Sequence, residues 1–175
     1  MRRNDLEIRD RELLSGMLDL ADILHLAIKN EPYPYVVPLN FGYEWEDDTL
    51  VFYFHCAKEG LKLDLLRRDG HVTVNAAAFI SYAHRKYRGH YHDDRSVTAS
   101  GVAEEISPDD ERFLHAHELL MAHNRREMQP EDYPVMKQIS IWQIRCRVED
   151  VTGKAEIVPK TLSEIPFAEP ETRED

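Results

Sequence analysis

The chain has 175 residues, with 33 acidic against 22 basic side chains and a formal net charge of −11. That length favours one domain with a sizeable core, and the acidity argues against general affinity for phosphate backbones. No apolar run approaches the roughly 18 residues of a membrane span, the opening Met1-Arg2-Arg3-Asn4-Asp5 lacks a signal-peptide pattern, and two cysteines, Cys56 and Cys146, cannot build a disulfide framework. A reduced, cytoplasmic protein is the expectation.

Asp10 can cap a first helix over 11–20, where Leu13, Leu14, Met17, Leu18 and Ala21 recur at helical spacing. Residues 23–28 read as a strand, and Asn30-Glu31-Pro32 as a turn. A second strand covers 35–43 with Pro38 inside it, which implies an edge, a bulge or a backbone facing a ligand. A third, over 50–55, is rich in aromatic and branched residues. A short helix over 58–69 follows, ended by Gly70. Strands over 71–80 and 96–106 flank a polar loop, 82–94, dense in His, Arg and Tyr, and Gly101 marks a bulge. Ser107-Pro108-Asp109-Asp110-Glu111 opens a long helix that runs to about residue 126. The last strand spans 139–151.

The order α-β-β-β-α-β-β-α-β groups the strands in blocks, which favours an antiparallel sheet or small barrel over a doubly wound fold. Six strands closing on themselves would remove their edges. The domain reads as residues 1–155, with an acidic, Pro-containing tail over 156–175. Residues 164–175 hold five acids and one arginine, a net of −4, and such a tail wraps the surface or is disordered.

The segment His55-Cys56-Ala57-Lys58-Glu59-Gly60-Leu61-Lys62 joins a strong strand to a short helix. A helix start presents unpaired N–H groups and partial positive charge. Lys58 and Lys62, four apart, share a face. Together they form a candidate phosphate cradle without a Gly-rich loop. Against this stands the ordinary reading of lysines on a solvated helix.

Two linked stretches carry a resemblance. Pro34-Tyr35-Val36-Val37-Pro38-Leu39-Asn40-Phe41-Gly42-Tyr43 is followed by Phe54-His55-Cys56-Ala57-Lys58-Glu59-Gly60-Leu61-Lys62-Leu63-Asp64-Leu65-Leu66. The pair resembles the FMN-binding split barrels of the pyridoxamine 5′-phosphate oxidase-like group, and most nearly its 5-nitroimidazole resistance branch. Weaker echoes run from Arg2-Arg3 through Arg95-Ser96-Val97 and Gly101 to Val151-Thr152-Gly153-Lys154. The resemblance implies a mainly β fold with helices, a six-stranded antiparallel split β-barrel. It also implies a homodimer with FMN in an interface groove, one site per subunit by two-fold symmetry. Val37, Pro38, Leu39 and Asn40 would line the flavin ring. His55, Cys56, Lys58 and Lys62 would hold its phosphate, Lys62 foremost, with Ser96 and Trp142 as further flavin contacts.

Two departures matter. Relatives often carry Ser or Thr where Cys56 stands, and a thiol is a poorer donor to phosphate. The Arg-x-His substrate motif of the pyridoxamine phosphate oxidases has no counterpart in Gln143-Ile144-Arg145-Cys146-Arg147. Vitamin B6 oxidation is therefore not expected.

His55 has a side chain suited to proton transfer beside a flavin. The plainer alternative is a strand-end histidine bonded to backbone or phosphate. Cys56 could be a redox thiol at a helix start, against an inert one. Trp142 reads as a core or dimer-interface tryptophan before a flavin contact. His90-x-His92, with Asp93, Asp94 and His84, could gather a metal, but the spacing matches no standard site and no metal is expected. His115, His117 and His123 do not align on one helix face.

The leading expectation is an FMN-dependent oxidoreductase. It would take electrons from a transient nicotinamide cofactor, NAD(P)H, or another donor and pass them to a small-molecule acceptor, as nitroimidazole reductases do. The alternatives are a non-catalytic flavin carrier or redox sensor, and a haem-binding split barrel. No Rossmann fingerprint is present. Neither nucleic acid nor membrane is an expected partner.

Overall fold

The structure, a computed structural model, describes residues 4–84, 90–127, 129 and 138–155, apart from the side chains of 79–93. In chain order its elements are β1 (Glu7–Ile8), α1 (Arg11–Leu18), β2 (Leu24–Ile28), β3 (Tyr35–Leu39), β4 (Gly42–Glu46), β5 (Thr49–Ala57), α2 (Leu61–Arg68), β6 (His71–His84), β7 (His90–Ile106), α3 (Arg112–His123), β8 (Ile139–Arg147) and β9 (Val151–Ala155).

The strands form one antiparallel sheet in the order β3-β2-β6-β7-β8-β5-β4, with β9 paired to β7 and β1 to β9. The expected class holds: mainly β, antiparallel, with three helices. The strand count does not, because nine strands are described instead of six. The 35–43 segment breaks at Asn40-Phe41 into β3 and β4, which end up on opposite edges of the sheet. These unjoined edges leave the barrel split. Pro38 accordingly lies in an edge strand, where its missing N–H costs least.

Local chemistry sets the other boundaries. Asp10 caps α1 as expected, its side chain accepting from Leu13 N–H at 3.0 Å. α2 starts at Leu61 and not at 58, because Gly60 takes φ 130°, a conformation only glycine adopts readily. α3 starts at Arg112, later than expected. Asp110 diverts the chain into a turn, its carboxylate accepting from Arg112 N–H at 2.9 Å. Most of the expected 82–94 loop instead extends β6 and β7, whose paired backbones run to His84 and His90. The expected last strand ends at Arg147 and resumes as β9 after a short 3-10 turn, Val148–Asp150. The tail over 156–175 lies outside the described residues.

β7 switches partners along its length. Residues 95–99 pair with β9, and 102–106 with β8. Gly101 sits at the switch, in register with Val72 and without a bulge. A Cβ there would clash with the Arg145 carbonyl oxygen, so glycine is needed for close approach. The register does shift elsewhere, between Phe79 and Ser81.

β5 is buried on both faces. Leu50, Phe52 and Phe54 point into the main core with Leu14, Leu18, Leu24, Leu26, Leu63 and Trp142. Val51 and Tyr53 face a second cluster under α3, built from Ile106, Phe113, Ala116, Leu120 and Ile141. Each such side chain contributes about 1.5–3 kcal/mol on burial. The end of β5 therefore separates two surroundings, one under α2 and one under α3.

Candidate functional site

Alternation along β5 puts His55 on the α3 side and Cys56 on the barrel side. The turn expected to act as one phosphate cradle is thus divided between two faces.

On the barrel side, Lys62 Nζ lies 5.4 Å from the centre of the Phe54 ring, a cation–π contact. Burial pushes the Cys56 thiol up, and the Lys62 ammonium, bonded to it, offsets part of that. Cys56 is accordingly a protonated thiol at neutral pH, not an activated nucleophile. No side chain caps α2 at Gly60. Leu63 and Asp64 N–H donate to the Gly60 carbonyl, which leaves the first N–H groups of the helix, on Leu61 and Lys62, outside its bonding pattern. Nothing lies within 4 Å of where a Cβ would stand at Gly60, so the approach is open. These features fit a phosphate group.

A chain of bonds running from the core to the surface supports α2. Trp142 Nε1–H donates to Ser140 Oγ at 2.8 Å, Ser140 Oγ–H donates to Glu105 Oε1 at 2.5 Å, and Arg67 Nη2 donates to Glu105 Oε2 at 3.1 Å. Burial pushes the Glu105 carboxyl up, but its bonds to Ser140 and Arg67, and the nearby Lys58 charge, bring it below its ordinary value. Trp142, expected at the flavin, is 2% exposed and stacks on Phe54. Its N–H is already satisfied, so within this chain it supports the site from the core.

On the α3 side, His55 and Asn40 line one cavity of about 210 Å³ with Leu120, Met121, Asn124 and Arg126. The His55 ring centre is 6.3 Å from that of buried His117. Burial and the Lys62 charge hold the His55 imidazole below its ordinary value, so it is neutral at pH 7. Asn40 Nδ2 donates to the Asp22 carbonyl at 3.3 Å.

The residues of β3 and Asn40 just after it divide by face. Pro38 and Asn40 are exposed, whereas Val37 and Leu39 pack on the core and offer only backbone to a ligand. Along the paired strands Pro38 aligns with His25, Asn75 and Thr98. By the same alternation, Ser96 shares the outer face with Pro38 and Asn40. It stands three strands from β3, about 14 Å by strand spacing.

The α3 wall of the cavity was missed by sequence reasoning. Its histidines were weighed only as metal ligands, and they serve three different partners. His115 bonds Glu44, His117 faces His55, and His123 Nε2 lies 2.9 Å from the Ala21 carbonyl. The available signal was the amphipathic spacing of Phe113, Ala116, His117 and Leu120, which turns one face of α3 toward β5. Among the described residues no group of three His, Cys, Asp or Glu is placed to hold a metal. The side chains of His84, His90, His92 and Asp93 lie outside the description. No helix among the described residues is long and apolar enough to cross a membrane.

A family profile described as pyridoxamine 5′-phosphate oxidase matches residues 10–155. The chain belongs to this family of flavin-related split barrels. No curated protein matches it. A solved structure from Bacteroides thetaiotaomicron, described as a 5-nitroimidazole antibiotic resistance protein, is 28% identical over 86% of each chain, with a TM-score of 0.71. A FAD- and haem-binding protein from Mycobacterium smegmatis is 19% identical over 90% of this chain and 77% of its own, with a TM-score of 0.63. A flavocytochrome from Azotobacter vinelandii is 19% identical over 95% and 78%, with a TM-score of 0.59. The last two bear on the fold of this family member, not on its ligand.

Proposed function

We propose that this protein is an FMN-dependent oxidoreductase that passes electrons to a small acceptor. One observation carries the reading: the uncapped start of α2, beside Lys62, lies across the end of β5 from the cavity that Asn40 and His55 share. An anion site and a small-molecule cavity are thereby set back to back. Bound FMN would supply the electron transfer, and the protein its orientation and electrostatics.

Each residue then has a role. The Lys62 ammonium and the N–H groups of Leu61 and Lys62 bind the phosphate, and Lys58 adds charge. Pro38, Asn40 and Ser96 line the outer face toward the ring, and a second copy of the chain closes the groove. His55 holds a proton site at its imidazole nitrogen, unprotonated at rest. The acceptor class, a nitro compound, is drawn from the 28% identical relative, and NAD(P)H is the proposed transient donor. We place the protein in the cytoplasm.

The test is anaerobic turnover of FMN-loaded protein with NADPH and a 5-nitroimidazole. Consumption of both substrates, lost in His55→Ala, is the expected result. Tight FMN binding without turnover by any donor would instead make the protein a flavin carrier or sensor.

A further inference from the structure

β2 turns Leu24, Leu26 and Ile28 into the core and leaves His25 and Ala27 on the outer face. His25 is exposed and stands directly opposite Pro38 on β3 and Asn75 on β6. Side chains so opposed begin about 4.5–5.5 Å apart at Cβ. One step past the Leu24–Leu39 pair, Asn40 meets the entry to β2, and its Nδ2 donates to the Asp22 carbonyl at 3.3 Å. Exposed Ile23 lies between that bond and His25. Pro38 and Asn40, the two residues proposed to meet the flavin ring on this edge, thus have His25 and Ile23 as their neighbours across the strand gap.

The face around His25 is uncharged. Its outward neighbours are Val36 and Pro38 from β3 and Thr73, Asn75 and Ala77 from β6, with Ser96 and Thr98 beyond them on β7. Asn75 Nδ2 donates to Thr98 Oγ1 at 2.8 Å and to the Val97 carbonyl at 3.4 Å, which holds that amide toward β7. In a chain with 31% charged residues, His25 is the one titratable side chain among these positions. Asp22 and Lys29 lie beyond the two ends of β2, and α2 meets the far end, where Arg68 Nη2 donates to the Lys29 carbonyl at 3.3 Å. Small, uncharged side chains suit the face of a planar ring, and an imidazole among them adds a proton site. A ring that reaches from Pro38 toward Ser96 crosses β2 and β6, and His25 is what β2 presents beside Pro38.

We propose that His25 is a catalytic residue of the flavin half-reaction: its imidazole lies against the bound ring and takes up one proton for each pair of electrons the ring receives. This rests on the FMN reading of the same site. The donor gives two electrons. One proton from water enters the ring, which keeps one negative charge, and a second proton from water goes to His25, so the total charge of the site is unchanged. An imidazolium next to a new negative charge is favoured most where water is excluded and no other ion competes, and the outer face of β2 supplies both conditions once a ring covers it. His55 stands on the α3 side of β5 and serves the acceptor, so the two histidines divide proton traffic between the two half-reactions.

The experiment is a potentiometric titration of the FMN-loaded protein with dithionite, repeated between about pH 7 and 8, just above the range where imidazole is ordinarily charged. Each proton taken up makes reduction tenfold less favourable per pH unit, which is about 30 mV for a two-electron couple. Wild type is expected to lose about 60 mV per pH unit, and His25→Gln about 30 mV. His25→Lys, which keeps its charge throughout, should also lose about 30 mV per pH unit, from a higher potential than His25→Gln. NMR titration of the His25 ring in wild type should show protonation at higher pH in the reduced than in the oxidised holoprotein, and this measurement decides the matter if a variant fails to hold FMN. The same slope in wild type and His25→Gln, or a His25 ring that titrates identically in both redox states, overturns the proposal. Wild type that binds no FMN brings down the flavin reading, and this role of His25 with it.

Discussion

A Cβ on Gly42 would stand 2.6 Å from the carbonyl carbon of Leu119, so β4 and α3 meet backbone to backbone. The contact holds against β4 the helix turn whose Leu120 and Met121 line the cavity with His55. The obstacle is helix backbone, not a flexible side-chain tip. Gly42→Ala should therefore lift α3 and destabilise the protein by about 1–3 kcal/mol, the scale of overpacking. Denaturant unfolding measures this. An unchanged midpoint would mean that α3 shifts without cost.

Lys62→Ala should weaken FMN binding by roughly 1–3 kcal/mol, the loss of one charge-assisted hydrogen bond. It should also slow alkylation of Cys56, because the ammonium that favours its thiolate is removed. Fluorescence titration and thiol labelling test the two parts separately. FMN affinity equal to wild type would remove Lys62 from the phosphate site.

His55 should make both stability and turnover depend on pH. Its folded value lies below its unfolded one, so the unfolded chain takes up the proton first. Its contribution to stability is present above the ordinary imidazole range, about 6.5, and is lost as pH falls through that range toward the folded value. Reduction of a nitro acceptor consumes protons, so His55 as donor is active in its protonated form, and turnover should fall as pH rises through the folded value. NMR titration of the His55 ring and a pH–rate profile check both. A profile unchanged in His55→Gln would exclude His55 as the group responsible.

Glu44 ties α3 to β4 and β5. Its Oε1 accepts from Tyr53 Oη at 2.6 Å, and His115 Nε2 lies 3.0 Å from both carboxylate oxygens. Burial pushes the carboxyl up, but these bonds outweigh it and hold it below its ordinary value. The stabilisation is therefore complete above about pH 4.5 and is lost as pH falls through the folded value. Glu44→Gln should cost about 1–2 kcal/mol near neutrality and flatten the acid limb of stability. Equal acid sensitivity of the variant in thermal melts would show that other carboxylates dominate.

The parts of the fold legible in sequence were those governed by local chemistry. Asp10 announced α1, and Pro38 announced an edge. The break at Asn40-Phe41 was read through, because the branched and aromatic residues on either side of Asn40 look like one strand. It arises from the split itself, which sends β3 and β4 to opposite edges. The His-rich 82–94 segment looked like a loop because its composition is polar, yet its backbone continues the pairing of β6 with β7. At the site, His55 and Asn40 were singled out singly, and only the fold joins them. Trp142 was left between core and flavin groove for a related reason: a strand buried on both faces gives no alternation to tell the two apart.

The most direct test of the account is the visible spectrum of purified protein titrated with FMN and passed over a sizing column. The account predicts saturable uptake near one FMN per chain, with the flavin absorbance eluting with a dimer. No uptake, or elution of all flavin apart from the protein, would contradict it and leave the family relationship as a statement about fold alone.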